Sequence, residues 1–251
     1  MSFFCCDLDN TLIYSYKHDI GTDKVLVESM EKKELSFMTN TSHRLLKEVA
    51  GNKTLVPVTT RTLKQYLRIN FGQDIFIKYA LISNGGILLE NGIINERWLA
   101  DSKKIVQEVD AELEKGINLL KRDPDVFFEI RKADGLFVFT KSSNCEKTME
   151  QLVHNLQQEK VYIDKHGNKI YIFPRKLNKG YAVERFKDYI GGSHHFMAAG
   201  DSKFDIPMLE AVNVGMCPES LEVPFRTAVK KFRRETFTED MLSFVKDYKS
   251  K

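Results

Sequence analysis

The chain has 251 residues, of which 42% are apolar and 29% are charged. This mixture is typical of a globular protein that buries roughly 70–75% of its unfolded surface, which excludes the disordered and fibrous classes. At about 150 residues per domain, the length favours one large domain with a smaller companion. The net charge of +3 is too small to indicate a nucleic-acid or membrane surface, so we expect a small-molecule partner.

The four cysteines are too few for a disulfide framework in a chain of this length, and none has the Cys-x-x-Cys spacing of a metal site. No apolar run approaches the roughly 20 residues needed to span a bilayer, and the N-terminal segment lacks the basic region of a signal peptide. We therefore expect a cytoplasmic protein in a reducing compartment, without nucleic-acid or membrane partners. A monomer or a weak homo-oligomer is expected.

Strand and helix patterns alternate through the first part of the chain. The nearly continuous apolar run at 3–8 is typical of a central parallel strand, on which Cys5 and Cys6 point to opposite faces. The elements predicted after it are a helix at 42–49, a strand at 54–58, a helix at 63–67 and a strand at 79–83. This alternation predicts an α/β fold.

Two hairpins are predicted beside this alternation. Short strands at 24–28 and 35–39 form a hairpin inserted after the first strand, where it could flank a site. Strands at 87–90 and 93–94 enclose an Asn-Gly dipeptide, which is typical of a tight primed turn.

The pattern changes at about residue 99 and becomes a compact α+β unit with its own core. Its predicted elements are a helix at 102–120, strands at 127–131 and 136–140, a helix at 146–157, and strands at 161–164 and 169–173. Alternation then resumes with a helix at 179–190, strands at 195–199 and 212–216, and a helix at 239–248. A small domain at 99–174 is therefore expected to interrupt a core built from 1–98 and 175–251.

Acidic residues follow two of the predicted core strands. Asp7 and Asp9 come at the carboxyl end of the first strand, and Asp201 and Asp205 come directly after the strand at 195–199. Open α/β sheets bind ligands at this edge, although Asp-x-Asp alone is equally typical of an ordinary acidic turn. Thr59 ends another predicted strand and Lys179 opens a helix. If these strands are parallel neighbours, all six side chains face one crevice.

Four carboxylates so close together require a cation, because like charges at 4 Å repel by about 4 kcal/mol per pair at an effective dielectric near 20. An oxygen-only ligand set selects a hard ion, and Mg²⁺ fits best. Asp7, Asp201 and Asp205 would supply carboxylate oxygens and Asp9 its main-chain carbonyl. With Mg²⁺ and Lys179 included, the site keeps one net negative charge, which favours one protonated carboxyl, as a general acid requires.

Together these segments resemble the four motifs of the haloacid dehalogenase-like superfamily. The matching segments are, in order, Asp7-Leu-Asp-Asn-Thr, Thr59, Lys179-Gly180 and Gly200-Asp-Ser-Lys-Phe-Asp. The inserted unit at 99–174 resembles the class IIB cap of this superfamily, and Asn84-Gly85 resembles the segment that leads into that cap. The resemblance implies a doubly wound, mainly parallel Rossmann-like core sheet with an inserted smaller α+β cap domain.

The resemblance also implies roles for individual residues. Asp7 would be the nucleophile that forms an aspartyl-phosphate, and Asp9 would protonate the leaving oxygen and then activate water. Thr59 would hydrogen-bond the phosphoryl oxygens, and Lys179 would neutralise their charge. Asp9 argues against dehalogenation, because a halide leaves without protonation. Asn10, Thr60 and Phe204 depart from the common pattern, so subfamily and substrate do not follow.

Further side chains are candidates for binding substrate. The candidates are Thr60, Arg61, Asn84, Arg131 and Arg175. Arg61 could equally contact phosphate or pair with a core carboxylate, and the cap arginines could equally be solvated surface. The basic run at 230–234 is expected to be an exposed amphipathic edge.

The expected activity is that of a Mg²⁺-dependent phosphatase acting on a small phosphorylated metabolite, with sugar phosphates first. The alternatives are a phosphosugar mutase of the same superfamily and a non-catalytic binding or regulatory protein that retains the fold.

Overall fold

The computed structural model describes residues 1–249, and the chain divides into two compact units. The first unit comprises Met1–Ile94 and the chain from Lys179 onward, and the second comprises Asn95–Asn178. The sequence pattern places the inserted segment at 99–174.

Strands and helices are numbered here in chain order. The strands are β1 (Ser2–Cys6), β2 (Tyr14–Ser15), β3 (Lys24–Met30), β4 (Lys33–Thr39), β5 (Thr54–Pro57), β6 (Tyr79–Ile82), β7 (Ile87–Glu90), β8 (Ile93–Ile94), β9 (Arg131–Ala133), β10 (Phe137–Lys141), β11 (Val161–His166), β12 (Lys169–Pro174), β13 (His195–Ala199), β14 (Val214–Pro218) and β15 (Val229–Phe232). The helices are α1 (Asn40–Asn52), α2 (Leu63–Tyr66), α3 (Glu96–Glu108), α4 (Asp110–Arg122), α5 (Cys145–Asn155), α6 (Lys179–Ile190), α7 (Ile206–Glu210) and α8 (Phe237–Asp247), with a 3₁₀ turn at Lys203–Asp205.

The core of the first unit is a parallel sheet in the order β15-β14-β13-β1-β5. Leu81 of β6 bridges in parallel to Val58, which follows β5, and so extends the sheet at this edge. β1 is central and fully apolar beyond its first residue, which matches a strand covered on both faces. The predicted α/β fold with a mainly parallel core sheet is confirmed.

Helices cover both faces of this sheet because side chains alternate along each strand. Phe4 and Cys6 belong to a core cluster with residues of α1 and α8, including Leu46 and Met241. On the opposite face, the Phe3 ring meets Phe186 of α6 edge-on at 5.7 Å between centroids. The core is therefore doubly wound, as predicted.

The inserted hairpin forms a small antiparallel sheet in the order β2-β4-β3, and both of its predicted strands are present. β4 runs directly into α1, where the Thr39 side chain caps the helix by accepting from the Ser42 N–H at 3.0 Å. The Asn-Gly turn between β7 and β8 has positive φ at both residues, 51° and 78°, as a primed turn requires.

The second unit is an antiparallel sheet in the order β11-β12-β10-β9 with the helices α3, α4 and α5. α4 packs closely on this sheet because Gly116 has no side chain: a Cβ there would lie 2.5 Å from Ile172 Cδ1.

The structure corrects two predicted elements of this unit. The single helix expected at 102–120 is two helices, because Val109 leaves the helical backbone (φ −122°, ψ 10°) and Asp110 begins a new one with acidic residues in its first turn. The strand expected at 127–131 is instead β9, because the Asp134-Gly135 turn pairs Ala133 with Phe137 and so fixes the register.

The basic run near the C-terminus lies partly in the edge strand β15, where Lys230 and Lys231 are exposed, in line with the predicted edge. Among residues 1–249, no helix is long and apolar enough to cross a membrane.

Candidate active site

The site lies where the central strands of the core sheet end. Asp7 follows β1, and its N–H donates to the carbonyl of Ala199, the last residue of β13, at 2.9 Å. Asp201 comes two residues after that carbonyl. Because β1 and β13 are parallel neighbours, the two acidic loops emerge side by side.

Three carboxylates meet at this edge, and we call them the acidic cluster. Asp7, Asp201 and Asp205 each place one carboxylate oxygen within 4.8 Å of the others. Asp7 and Asp205 are buried, and Asp201 is partly accessible. Such an arrangement of oxygen donors can hold a hard divalent cation.

Lys179 is buried against the acidic cluster. Its Nζ lies 2.5 Å from Asp7 Oδ1 and 2.6 Å from Asp205 Oδ1. Burial would lower the pKa of Lys179, but the two carboxylates outweigh it and hold this pKa above its ordinary value. The ammonium group is therefore charged at neutral pH.

Gly180 allows this lysine to open α6 in its buried position. A Cβ at Gly180 would lie 2.4 Å from the carbonyl oxygen of Pro207 in α7, which is closer than backbone and side chain can approach. Lys179 thus supplies a charge to the acidic cluster, while Gly180 permits the close contact between α6 and α7.

Asp205 organises the loop that carries Asp201. Its Oδ2 accepts from the Asp201 N–H at 3.1 Å and from the N–H and Oγ of Ser202 at 2.9 and 2.8 Å. Gly200 makes room for this arrangement, since a Cβ there would lie 2.3 Å from Asp205 Cβ. Asp205 therefore supports the loop with one oxygen while the other accepts from Lys179.

Lys179 and Arg234 supply less positive charge than the three carboxylates of the acidic cluster carry when they are all ionised. Burial raises the pKa of Asp7 well above its ordinary range, and the charges of Asp205 and Asp201 raise it further, against the opposing effect of Lys179. Burial and Asp205 likewise raise the pKa of Asp201 to about 6. Arg234 compensates in part, with Nη1 3.5 Å from Asp201 Oδ2.

Asp9 stands apart from the cluster because its carboxylate is held by Arg61. Arg61 Nε lies 2.8 Å from Asp9 Oδ2, and Nη2 lies 2.7 Å from Asp9 Oδ1, which is a bidentate pair. The four facing carboxylates expected from the sequence are therefore three, and the fourth is neutralised by this guanidinium. Of the two contacts considered for Arg61, the structure shows the carboxylate pair. Asn10, the residue directly after Asp9, has a left-handed backbone (φ 61°), a conformation that Asn tolerates.

Thr59, Thr60 and Asn84 lie together at the end of β5. The Thr59 N–H donates to the Leu81 carbonyl, and the Asn84 N–H donates to the Thr59 carbonyl, both at 2.9 Å. Thr59 Oγ1 accepts from the Arg61 N–H at 3.2 Å. Thr59 and Asn84 are buried, and Thr60 is partly buried.

The two predicted cap arginines have partners within the second unit. Arg131 pairs with Glu129 at 2.7 Å and stacks over Phe128 at 5.0 Å from the ring centroid. Arg175 donates through Nε to the Gln158 carbonyl at 2.8 Å. Their role in binding substrate stays a prediction.

Three charged residues of the site region were missed by sequence reasoning. Glu28 is a buried acid in the otherwise mixed strand β3, and Arg68 pairs with it at 2.8 Å. Arg234 is one of several cations in the run at 230–234, and nothing in the pattern distinguishes it from the others. For Glu28, the available signal was its place in a predicted strand of the inserted hairpin.

A family profile described as haloacid dehalogenase-like hydrolase matches residues 47–220, more than half of the chain. The chain belongs to the haloacid dehalogenase-like hydrolases. The matched range includes Thr59, Lys179, Asp201 and Asp205, and it begins after Asp7 and Asp9. No curated protein matches this hydrolase by sequence.

Solved structures of the same fold cover nearly the whole hydrolase. The sucrose-phosphatase of Synechocystis sp. PCC6803, solved with sucrose and phosphate, aligns at 14% identity and a TM-score of 0.63 over 96% of this chain and 97% of its own. The trehalose-6-phosphate phosphatase of Aspergillus fumigatus aligns at 12% identity and 0.57 over 98% and 93%. A haloalkanoate-superfamily phosphatase of Bacteroides thetaiotaomicron aligns at 15% identity and 0.55 over 98% and 95%. At these identities the likeness establishes the fold.

Proposed function

We propose that this hydrolase is a Mg²⁺-dependent phosphatase that cleaves a small phosphorylated metabolite through an aspartyl-phosphate on Asp7. Sugar phosphates are the favoured class of substrate. The observation that carries the proposal is the buried contact of Lys179 with Asp7 inside the acidic cluster. A carboxylate, a buried ammonium group and oxygen donors that could hold a divalent ion lie around one point, which supports phosphoryl transfer because that reaction requires these three groups together.

The donor set fits Mg²⁺ because it consists of oxygen atoms from three carboxylates that lack a full complement of positive charge. Asp7 and Asp201 would hold the ion, together with the main-chain carbonyl of Asp9. Asp205 completes the cluster, although its oxygens also accept from Lys179 and the 201–202 loop. A bound Mg²⁺ would supply charge neutralisation and orient the phosphoryl group toward Asp7.

In the first step, an Asp7 carboxylate oxygen attacks phosphorus and the bond between phosphorus and the ester oxygen breaks. Asp9 is paired with Arg61 as a carboxylate, the form that acts in the second step, and it must carry a proton when the substrate binds. It donates this proton to the leaving oxygen, so an alcohol rather than an alkoxide departs. Lys179 and the Thr59 hydroxyl stabilise the charge on the phosphoryl oxygens.

In the second step, water attacks the aspartyl-phosphate and inorganic phosphate is released. Asp9, now a carboxylate, takes a proton from this water as the bond between Asp7 and phosphorus breaks. Both side chains return to their starting protonation states, so the cycle is balanced.

The substrate class is supported by solved proteins of the same fold. The solved proteins of this fold include enzymes named for sucrose phosphate and trehalose 6-phosphate. Thr60, Arg61 and Asn84 lie beside Thr59 and are proposed to line the substrate site, with Arg131 and Arg175 of the cap as candidates for contacting the rest of the substrate.

The experiment is a panel of phosphate monoesters assayed for inorganic phosphate with and without Mg²⁺. We expect Mg²⁺-dependent release from sugar monophosphates and from a generic aryl phosphate. Isomerisation of a sugar phosphate without phosphate release would favour the mutase alternative. No turnover on any ester would favour a binding protein that retains the fold.

A further inference from the structure

A continuous ion-pair network links the site to the inserted hairpin. It consists of Asp9, Arg61, Glu28 and Arg68, and we call it the hairpin network. Arg61 Nη1 lies 2.9 Å from Glu28 Oε1, so the two side chains form an ion pair, although Nη1 does not donate a hydrogen bond to this oxygen. Arg68 Nη2 lies 2.8 Å from the same Glu28 oxygen. With Asp9 ionised, two carboxylates and two guanidinium groups balance, so the network then adds no net charge to the site.

Glu28 is the most firmly held member of this network. Its side chain is 2% exposed, whereas that of Asp9 is 50% exposed. The Ser36 hydroxyl of β4 donates to Glu28 Oε2 at 2.6 Å, and Arg68 Nε donates to Oε1 at 2.9 Å. Both oxygens are therefore held by partners in addition to Arg61.

Arg61 transmits this fixed position to Asp9. Its guanidinium is planar, so the location of one nitrogen constrains the others. With Nη1 placed against Glu28, the Nε and Nη2 groups face both oxygens of the Asp9 carboxylate. The half-exposed carboxylate is thereby held in one orientation at the end of β1.

We propose that Glu28 is a positioning residue, which fixes Arg61 and through it orients Asp9 for proton transfer to the leaving oxygen. This inference rests on the proposed function, and it assigns the inserted hairpin a part in that reaction. Orientation matters in this step because a displacement of about 1 Å in a catalytic group can cost about a hundredfold in rate.

A defect in positioning the general acid has a signature that a general loss of stability does not have. A 4-nitrophenolate leaves readily without a proton, whereas a phenolate depends more on protonation. The ratio of kcat/KM for phenyl phosphate to that for 4-nitrophenyl phosphate reports this difference, because kcat/KM covers the steps up to cleavage of the ester bond. The two esters are similar in size, so binding changes largely cancel.

The test measures this ratio for the full chain with Mg²⁺ in the wild type, Glu28→Gln and Asp9→Ala. We expect Glu28→Gln to lower kcat/KM for phenyl phosphate about tenfold and for 4-nitrophenyl phosphate by less than about threefold, a fraction of the 10²–10⁴-fold that a general acid contributes. Asp9→Ala should show the same discrimination in larger measure.

Two further variants separate positioning from stability. Arg68→Gln removes one support of Glu28 and leaves Arg61 between Glu28 and Asp9, so its ratio should shift in the same direction as in Glu28→Gln but by less. Glu112→Gln changes a second buried glutamate, one that accepts from the Gln157 N–H in the second unit, and should leave the ratio unchanged.

Equal slowing of both esters by Glu28→Gln, or the same discrimination in Glu112→Gln, would overturn the inference and leave the proposed function standing. Failure of the wild type to release phosphate from either ester would instead remove the proposed function itself. If Glu28→Gln does not fold, as judged by circular dichroism, Arg61→Lys carries the test. Lysine keeps the positive charge but cannot form the bidentate contact with Asp9, so kcat/KM must again fall more for phenyl phosphate than for 4-nitrophenyl phosphate. An unchanged ratio would contradict the inference.

Discussion

Replacing Lys179 with methionine removes the ammonium group that lies between two buried carboxylates. At an effective dielectric of about 20, a contact of 2.5 Å between opposite charges has a Coulomb energy of about 6–7 kcal/mol, most of which is offset by desolvation. Removing only the cation leaves Asp7 and Asp205 buried and uncompensated. We expect Lys179→Met to lower the free energy of unfolding by about 3–5 kcal/mol at pH 7.5 without metal.

The deficit should depend on pH in a defined direction. Lys179 opposes the rise in the folded-state pKa of Asp7, so its removal raises this pKa further above the ordinary value. A raised folded-state pKa favours folding at low pH and costs stability as the pH rises. The difference between Lys179→Met and the wild type should therefore shrink from pH 7.5 to pH 5.

The assay is urea unfolding at the two pH values in the presence of a chelator. Thermal melts support it, and for a chain of this size the melting temperature of Lys179→Met should be lower than that of the wild type by about 6–20 °C. Lys104→Met is the matched control, because Lys104 pairs with Asp101 on the surface, and it should change stability by less than about 1 kcal/mol. A loss below about 1 kcal/mol in Lys179→Met, or a deficit that grows at pH 5, would refute the reasoning.

Three further predictions concern the metal and the close-packed glycines. Mg²⁺ at a hundred times its Kd should stabilise the folded wild type by about 2.7 kcal/mol, which corresponds to a rise in melting temperature of about 5–10 °C. In a thermal melt, Asp201→Asn should lose most of this rise. Without metal, the contribution of Asp201 to stability should fall as the pH rises from 3.8 to about 6, because the folded state holds the Asp201 proton more tightly than the unfolded state; urea unfolding should therefore show wild-type stability falling relative to that of Asp201→Asn over this range, and a constant difference would contradict the reasoning. Gly180→Ala should cost about 1–3 kcal/mol by its clash with Pro207, whereas Gly51→Ala in α1, with open space around it, should be neutral or stabilising by up to about 1 kcal/mol; equal effects would contradict the steric argument.

The core of the site could be predicted because strand ends dictate it. Asp7 and Asp201 follow apolar runs that had to be buried as parallel strands, and such strands place their carboxyl ends at one edge. Lys179 could be predicted as a site residue because it begins a helix at the point where the alternation of strands and helices in the core resumes. These inferences needed only local pattern and the geometry of parallel sheets.

The ion pairs around the site could not be predicted. Arg61 has a long side chain that reaches either a phosphate or a carboxylate, and the choice depends on Glu28, which is brought there by pairing between strands of the inserted hairpin. The break at Val109 likewise depends on one residue leaving the helical backbone, within a segment whose apolar spacing suits a continuous helix. The ion pairs are set by tertiary packing.

The central claim is that Asp7 is the nucleophile of a phosphatase, and its most direct test is phosphate release from 4-nitrophenyl phosphate with Mg²⁺ by the wild type and Asp7→Asn. The asparagine variant keeps the size of the side chain but removes the nucleophilic carboxylate. We predict turnover by the wild type and loss of activity to background in Asp7→Asn with a circular dichroism spectrum like that of the wild type. Substantial residual turnover by Asp7→Asn would contradict the assignment.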